Sequence, residues 1–279
     1  MSVWLLKSIN SLFPLPVHPF NLQNDNVKSY AEWQFEKADD TIKFYLDAVN
    51  KEDMFKDKVV LDIGCGAAGK TLSYAKAGVK HIFGVDVVDY YEQEAIDLAE
   101  KKNLKDLFTF ICADASKLSF NDNFFDTIVM NDAMEHVDNP LEVLKECYRV
   151  LKPGGRLFAN FPPYYHPFGA HLSDVIGIPW VHMFFSEKTL VKAYKELVQK
   201  HSDAEKRIKF RISTNSDNKE YFSYINKMTL KRFYKILPQT DYKVFYNKEV
   251  PLRSFLSPLA KAPVLKEMFV KMSVYILEK

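Results

Sequence analysis

Residues Val59–Thr71 read VVLDIGCGAAGKT, and the fold follows from how that stretch is parsed. Val59–Ile63 is apolar apart from Asp62 and stops at a glycine, the pattern of a strand buried on both faces. Gly64, Gly66 and Gly69 spell G-x-G-x-x-G, and Gly64–Thr71 also spells G-x-x-x-x-G-K-T. Both patterns place a strand, a tight glycine turn and a helix N-terminus in that order, with backbone N–H groups facing a ligand. They differ in the ligand, a dinucleotide for the first and a nucleoside triphosphate for the second.

Working outward, strand-like segments alternate with helical ones. His81–Val87, Phe108–Ala113, Phe125–Met130 and Arg156–Phe161 read as strands, and Lys70–Ala77, Glu92–Lys102 and Leu141–Leu151 as helices. Pro153-Gly154-Gly155 reads as the close of the last helix. This alternation predicts an α/β fold with a doubly wound parallel sheet. After Phe161 the rhythm breaks. Pro162–Phe185 has no period, Ser186 caps a helix over Lys188–Lys200, a further helix lies near Thr229–Leu237, and Tyr242–Tyr246 and Met272–Leu277 read as two last strands. Upstream, Val27–Asn50 reads as helical, with Tyr30, Trp33, Phe35, Ile42, Tyr45, Leu46 and Val49 as apolar anchors. The expected organisation is one domain over 1–279, with an N-terminal arm and helical lid over 1–50 and a substrate-side insertion over 162–240.

Composition narrows the function. Thirty-eight basic against 36 acidic residues leave a formal charge of +2, which gives no electrostatic case for nucleic acid as a partner. Cys65, Cys112 and Cys147 form no C-x-x-C pair, so a reduced, cytoplasmic setting is expected. No apolar run approaches the roughly 20 residues of a membrane span. Residues 1–20 have two readings: an arm packed on the domain, or an interfacial anchor inserting Trp4, Leu5, Leu6, Leu12 and Phe13 at a membrane surface. Pro14, Pro16 and Pro19 end any helix there. No obligate protein partner is expected.

Physical chemistry separates the ligands. A P-loop cradles a polyanion with backbone N–H groups and one lysine. Asp62, two residues before Gly64, would oppose a triphosphate, whereas it suits S-adenosylmethionine (SAM), which has no phosphate and carries an ammonium and a sulfonium. Asp86 ends the second strand about 20 residues past the loop, an offset at which an acid accepts hydrogen bonds from ribose hydroxyls of NAD or SAM. Asp114, at the tip of the third strand, can accept an adenine amino group.

The linked set resembles the class I SAM-dependent methyltransferases. VVLDIGCGAAG is similar to their first motif, GVDVV to their second-strand acid, ICADA to their adenine-contacting segment, and FDTIVMNDAMEHVDNP followed by LKPGGRLFANFPP to their fourth and fifth strands, in order from Lys58 to Pro163. The resemblance implies a seven-stranded sheet with its last strand antiparallel between strands five and six. It also implies roles. Gly64, Gly66 and the adjoining Cys65 would pass under the SAM methionine and sulfur, Asp62 would help position its amino group, and Asp86 with Val87 would hold the ribose. Asp114 and Ala115 would hold the adenine, and Asn131 would sit near the transferred methyl. Lys70 and Thr71 then become a solvated lysine and a packed threonine.

Methyl transfer is in-line displacement at an activated carbon, so the protein mainly positions the reactants and excludes water. An acceptor oxygen also needs its proton removed. Tyr164, Tyr165, His166, His171, Asp174 and His182 follow strand five and supply candidates. His171, oriented by Asp174, is the expected base, with His166 as a further catalytic candidate; His166 before Pro167 also reads as a turn residue. No metal centre is expected, because the histidines lack zinc-type helical spacing. Asn160-Phe161-Pro162-Pro163-Tyr164 resembles the N-P-P-Y motif of base-amino methylases, but it is split by Phe161 and follows the wrong strand. Lys206, Arg207, Lys209 and Arg211 read as a solvated basic face. The expected activity is methyl transfer from SAM to a small-molecule, sugar or lipid-intermediate acceptor, at oxygen. The alternatives are a P-loop phosphotransferase and a non-catalytic binding protein on the same fold.

Overall fold

The computed structural model describes residues 2–18, 20–21 and 29–279, so Pro19, Val27 and Lys28, for which turn or helix was expected, lie outside the described residues. The strands are β1 (Val59–Ile63), β2 (His81–Asp86), β3 (Phe108–Cys112), β4 (Phe125–Asn131), β5 (Leu151–Phe161), β6 (Ile212–Thr214), β7 (Glu220–Phe222), β8 (Lys243–Pro251) and β9 (Val270–Glu278). Seven of them form one sheet in the order β3-β2-β1-β4-β5-β9-β8. β1 to β5 run parallel, and β9 is antiparallel to β5, with Arg156 opposite Glu278 and Phe161 opposite Ser273. The seven-stranded α/β sheet, with its last strand antiparallel beside the fifth, matches the expectation.

The chain packs as two compact units where one domain was expected. The sheet unit comprises Ser29–Phe161, Leu230–Val250 and Met272–Lys279, and the other unit comprises Pro162–Thr229 and Pro251–Lys271 together with the N-terminal segment. The insertion therefore ends at Thr229 rather than 240, and the arm and the helix expected together over 1–50 fall in different units.

In the sheet unit, β1 is buried along Val60–Ile63 because it is central, with β2 on one side and β4 on the other. β1 and β4 flank the point where the strand order reverses, and in open α/β sheets that crevice is where ligands bind. The helix expected over 27–50 is Tyr30–Ile42, capped by the Ser29 hydroxyl accepting from Glu32 N–H at 3.1 Å, with turns after it. Its closest packing is made by small residues, and Leu46, expected as an anchor, is 48% exposed. Ala31 and Ala38 are buried against the helix Gly69–Ala75. A Cβ on Gly69 would overlap the Ala31 carbonyl oxygen and stand 2.7 Å from Gln34 Cβ and 2.9 Å from Phe35 N. The third glycine of the opening motif thus makes room for a crossing helix.

The Pro-Gly-Gly segment differs from the expectation. The helix Pro140–Val150 ends at once in β5, and residues 152–155 bulge from it: Leu151 pairs with Phe125, then Arg156 with Thr127. Gly154 supplies the left-handed φ of +75° that this bulge needs.

The other unit has its own core, in which Leu6 packs with Val175, Ile176, Leu190 and Tyr194. The helix Val3–Asn10 is fixed there by Asn10, whose Nδ2 donates to Val175 O at 2.9 Å and whose Oδ1 accepts from Gly177 N–H at 2.8 Å. Leu6 is therefore not available for membrane insertion, whereas Trp4 is 74% and Leu12 79% exposed. The basic face also needs correction. Lys206 and Lys209 are exposed, but Arg207 and Arg211 are buried on the opposite side of the helix Ala204–Arg211 and point at Asp174. Among the described residues no helix is long and apolar enough to cross a membrane.

Candidate functional site

The carboxyl ends of β1 to β4 bring Asp62, Asp86, Cys112 and Asn131 to one sheet edge, and the loops that leave them carry the expected cofactor residues. Gly64 and Gly66 take left-handed φ values of +70° and +53°, which curl the loop back under the edge. The loop is tied down at Gly64 and Cys65, whose N–H groups donate to Val85 O at 2.8 and 3.1 Å. Ala133 permits no side chain at Gly64, since a Cβ there would stand 2.6 Å from Ala133 Cβ. Cys65 is buried with its thiol beside Gly84, and burial pushes that thiol well above its ordinary range, which makes it a packing residue rather than a nucleophile.

Asp86 connects the loop to the second strand. Its Oδ2 accepts from Gly66 N–H at 2.8 Å and its Oδ1 from Val88 N–H at 3.0 Å. Burial raises its carboxyl and these N–H groups oppose the rise, so it is held in place with lone pairs left for a ligand's hydroxyls. Val87, beside it, is 68% exposed. Asp114 follows β3, is exposed, and forms a turn through Oδ1 to Ser116 N–H at 2.8 Å; Ala115 beneath it is buried. Tyr30 lies over the other side of the loop. A Cβ on Gly66 would touch its ring at 3.5 Å, and the ring stacks on Tyr91.

Asp62 is 4% exposed and its Oδ2 accepts the Thr71 hydroxyl at 2.6 Å. Burial pushes its carboxyl up to about 7, while the Thr71 hydroxyl and then the Lys70 charge pull it down. Lys70 is not the solvated lysine that was expected. It is mostly buried and bonds Asp132 Oδ2 at 2.7 Å. Its ammonium is thus held by a carboxylate, which is the wrong arrangement for gripping a triphosphate and argues against the P-loop reading. Asp62, Asp86, Asp114 and Asp132 lie at the strand ends of this edge, with Lys70 paired to Asp132, a field suited to a ligand with positive charge and hydroxyls.

Asn131 requires a correction. Its side chain does not face the crevice; Oδ1 accepts from Tyr45 OH at 2.6 Å and from Asn160 Nδ2 at 2.6 Å, and Nδ2 donates to Tyr74 OH at 3.1 Å. This buried network joins β4, β5, the helix Gly69–Ala75 and the turns that follow Tyr30–Ile42. The residue after it, Asp132, takes a left-handed φ of +52° and turns the chain at the strand end. Neither Asp132 nor Tyr30 was among the expected cofactor residues; Tyr30 was expected as an apolar anchor of the helical lid. The available signal for Asp132 was that aspartate tolerates the left-handed region at a strand-ending turn.

The expected catalytic residues lie in the other unit. Asp174 does not serve as a base-orienting carboxylate. It is fully buried, accepts from Tyr194 OH at 2.9 Å, and faces Arg207 at 3.4 Å and Arg211 at 3.3 Å. A buried carboxylate needs such partners, and two arginines balance its charge, although its Oδ1 makes no hydrogen bond of good geometry among the described residues. His171 sits at φ +53°, its carbonyl accepting from Arg211 and from Tyr224 OH. The Nδ1 of His166 accepts from Phe168 N–H at 3.2 Å, and burial holds its imidazole down to about 4, so it orders the turn as its position before Pro167 suggested.

Comparison with known proteins agrees with the sheet unit. Residues 61–159 match the family described as "Methyltransferase domain". A stretch of 100 residues, 36% of the chain, is 39% identical to the sterol 24-C-methyltransferase of Neurospora crassa, covering 26% of that protein. A stretch of 133 residues, 48% of the chain, is 32% identical to the ubiquinone biosynthesis O-methyltransferase of Coxiella burnetii, covering 55% of it. The chain thus spans about a quarter to about half of these relatives. Among solved structures, a SAM-dependent methyltransferase of Methanosarcina mazei superposes with a TM-score of 0.51 at 20% identity, over 85% of this chain and 96% of that one. A [4+2]-cyclase superposes with a TM-score of 0.53 at 16% identity, over 90% and 82%. These two likenesses establish the fold alone, and the cyclase marks how little the fold by itself says about the reaction.

Proposed function

We propose that this chain, whose residues 61–159 form a class I SAM-methyltransferase domain, binds SAM at the β1–β4 edge and transfers its methyl group to a small-molecule acceptor, at oxygen. The observation that carries this reading is the Asp86–Gly66 bond beneath two left-handed glycines, flanked by Asp62, Asp114 and Asp132. That arrangement leaves carboxylate lone pairs for ribose and adenine donors and offers negative charge to an ammonium. When bound, SAM supplies an electrophilic methyl on a sulfonium. The chain's own residues hold it and keep water from the acceptor.

Titration of the purified protein with SAM by calorimetry tests the reading, and absence of both heat and thermal protection would overturn it. Asp86→Asn removes the charge while keeping a side chain that can brace Gly66, and should weaken SAM binding by about tenfold or more, the worth of a charge-assisted hydrogen bond. His171 is proposed as the base on its chemistry, an imidazole in the segment that follows β5. His171→Ala should spare SAM binding and lower turnover, and unchanged turnover would remove it from the reaction.

The sterol and ubiquinone relatives support a small, largely apolar acceptor. Free Cys65, Cys112 and Cys147 support a cytoplasmic setting. Exposed Trp4, Leu12 and Val17 support peripheral contact with a membrane, tested by liposome flotation with and without Trp4→Ser and Leu12→Ser.

A further inference from the structure

The unit that contains Pro162–Thr229 holds a partly open pocket of about 210 Å³. Phe185, Leu190, Phe222 and Ile225 form its apolar wall, each less than one-tenth exposed. Tyr164 and His182 complete it, their rings 4.8 Å apart and inclined at 54°. His182 is the anomaly. Among the described residues neither ring nitrogen has a hydrogen bond of good geometry, the Tyr164 backbone offering only a weak contact, although an imidazole in such surroundings ordinarily has one. Burial holds that imidazole down to about 4, the Tyr164 backbone partly opposing, so at neutral pH the ring is uncharged and offers one N–H and one lone pair. The charged groups at the cavity cancel, because Glu187 bonds Lys227 Nζ at 3.1 Å through both carboxylate oxygens.

We infer that this cavity is a binding site for a neutral, compact molecule of about one ring, carrying a hydroxyl that meets His182. The size argues for one ring: an apolar cavity of roughly 150 Å³ already admits benzene. The wall argues for a mainly apolar body. The paired Glu187 and Lys227 argue against a net charge. A hydroxyl matches the neutral imidazole because it can either donate to the ring's lone pair or accept from its N–H, and so pairs one nitrogen of the ring. The inference does not rest on methyl transfer and stands or falls by binding alone.

The test uses the full chain with phenol and toluene as probes, their affinities read by saturation-transfer NMR. Wild type should bind phenol, and His182→Phe, which keeps the ring, should lower the phenol-to-toluene affinity ratio about tenfold, the worth of one satisfied buried hydrogen bond. Ile225→Trp should abolish binding of both probes while circular dichroism stays unchanged. If that variant does not fold, Ala170→Leu fills the same space from the other side. Absence of phenol binding to folded wild type, an unchanged ratio in His182→Phe, or undiminished binding in a folded cavity-filled variant would each overturn the inference.

Discussion

Gly69→Ala separates two accounts of the same glycine. In a phosphate-binding loop the residue frees backbone N–H groups for a ligand, and an added methyl would impair binding and leave the fold intact. Here the methyl has nowhere to go. It would overlap the Ala31 carbonyl and lie 2.7 Å from Gln34 Cβ and 2.9 Å from Phe35 N. Two of those atoms are backbone and the third is fixed to it, so no rotamer change relieves the clash and the helix Tyr30–Ile42 must move. Alanine itself favours a helix over glycine by up to about 1 kcal/mol, while overpacking of this kind costs about 1–3 kcal/mol. Because the clash is with backbone atoms the cost lies at the upper end of that range, and the expected net loss is about 2 kcal/mol, or roughly 4–8 °C in melting temperature for a chain of this size. SAM affinity should fall with it, because the displaced helix carries Tyr30 off Gly66. Differential scanning calorimetry, with Lys70→Ala as the neighbouring control that leaves the space unchanged, reads the effect. A Gly69→Ala protein that melts at or above the wild-type temperature would refute the packing account.

Three further outcomes are expected. Asn131→Ala leaves Tyr45, Tyr74 and Asn160 with unmet buried polar groups, so urea unfolding should show a loss of about 1–3 kcal/mol; a variant of wild-type stability that had lost only SAM binding would restore Asn131 to the cofactor. The raised carboxyl of Asp62, at about 7, keeps its proton in the folded chain over a range where the unfolded chain has lost it. Its contribution is fully present below about 4 and is lost as pH rises toward 7. Deprotonated Asp62 is the form that attracts a cation, so SAM affinity should rise through pH 7 with proton release, detectable as buffer-dependent binding heat and absent in Asp62→Asn. Asp174→Ala removes the carboxylate that faces Arg211, while Arg207 keeps Asp203, and should destabilise by about 3–5 kcal/mol in a urea titration, whereas a catalytic role would have left stability unchanged.

The sheet unit was legible because its information is local. A central parallel strand announces itself as an apolar run, and Asp62 within β1, Asp86 at the end of β2 and Asp114 two residues after β3 each lie at their own strand's carboxyl end, so they could be placed without knowing their neighbours. Asn131 could not. Its fate is decided by Tyr45, 86 residues away, and no spacing rule reports that Tyr45 reaches β4. Lys70 failed for the same reason, since Asp132 lies 62 residues on. The Pro-Gly-Gly segment carried the right turn chemistry, but a bulge and a helix end use the same residues, and only strand pairing distinguishes them. Arg207 and Arg211 looked like solvent-facing charge because burial of a guanidinium depends on a distant carboxylate, here Asp174.

The arginine cluster also bears on the order of events during synthesis. Arg207 bonds the Asn21 side chain at 2.9 Å across 186 residues, and the Phe20 carbonyl at 2.9 Å across 187. A chain emerging from the ribosome at roughly 5–20 residues per second exposes its N-terminal segment some 10–40 s before that anchor exists. The whole set of strands β1 to β5 emerges in the interval. Throughout it Leu6 lacks its native partners Val175, Ile176, Leu190 and Tyr194, so the helix Val3–Asn10 can dock only after the segment that carries them has emerged.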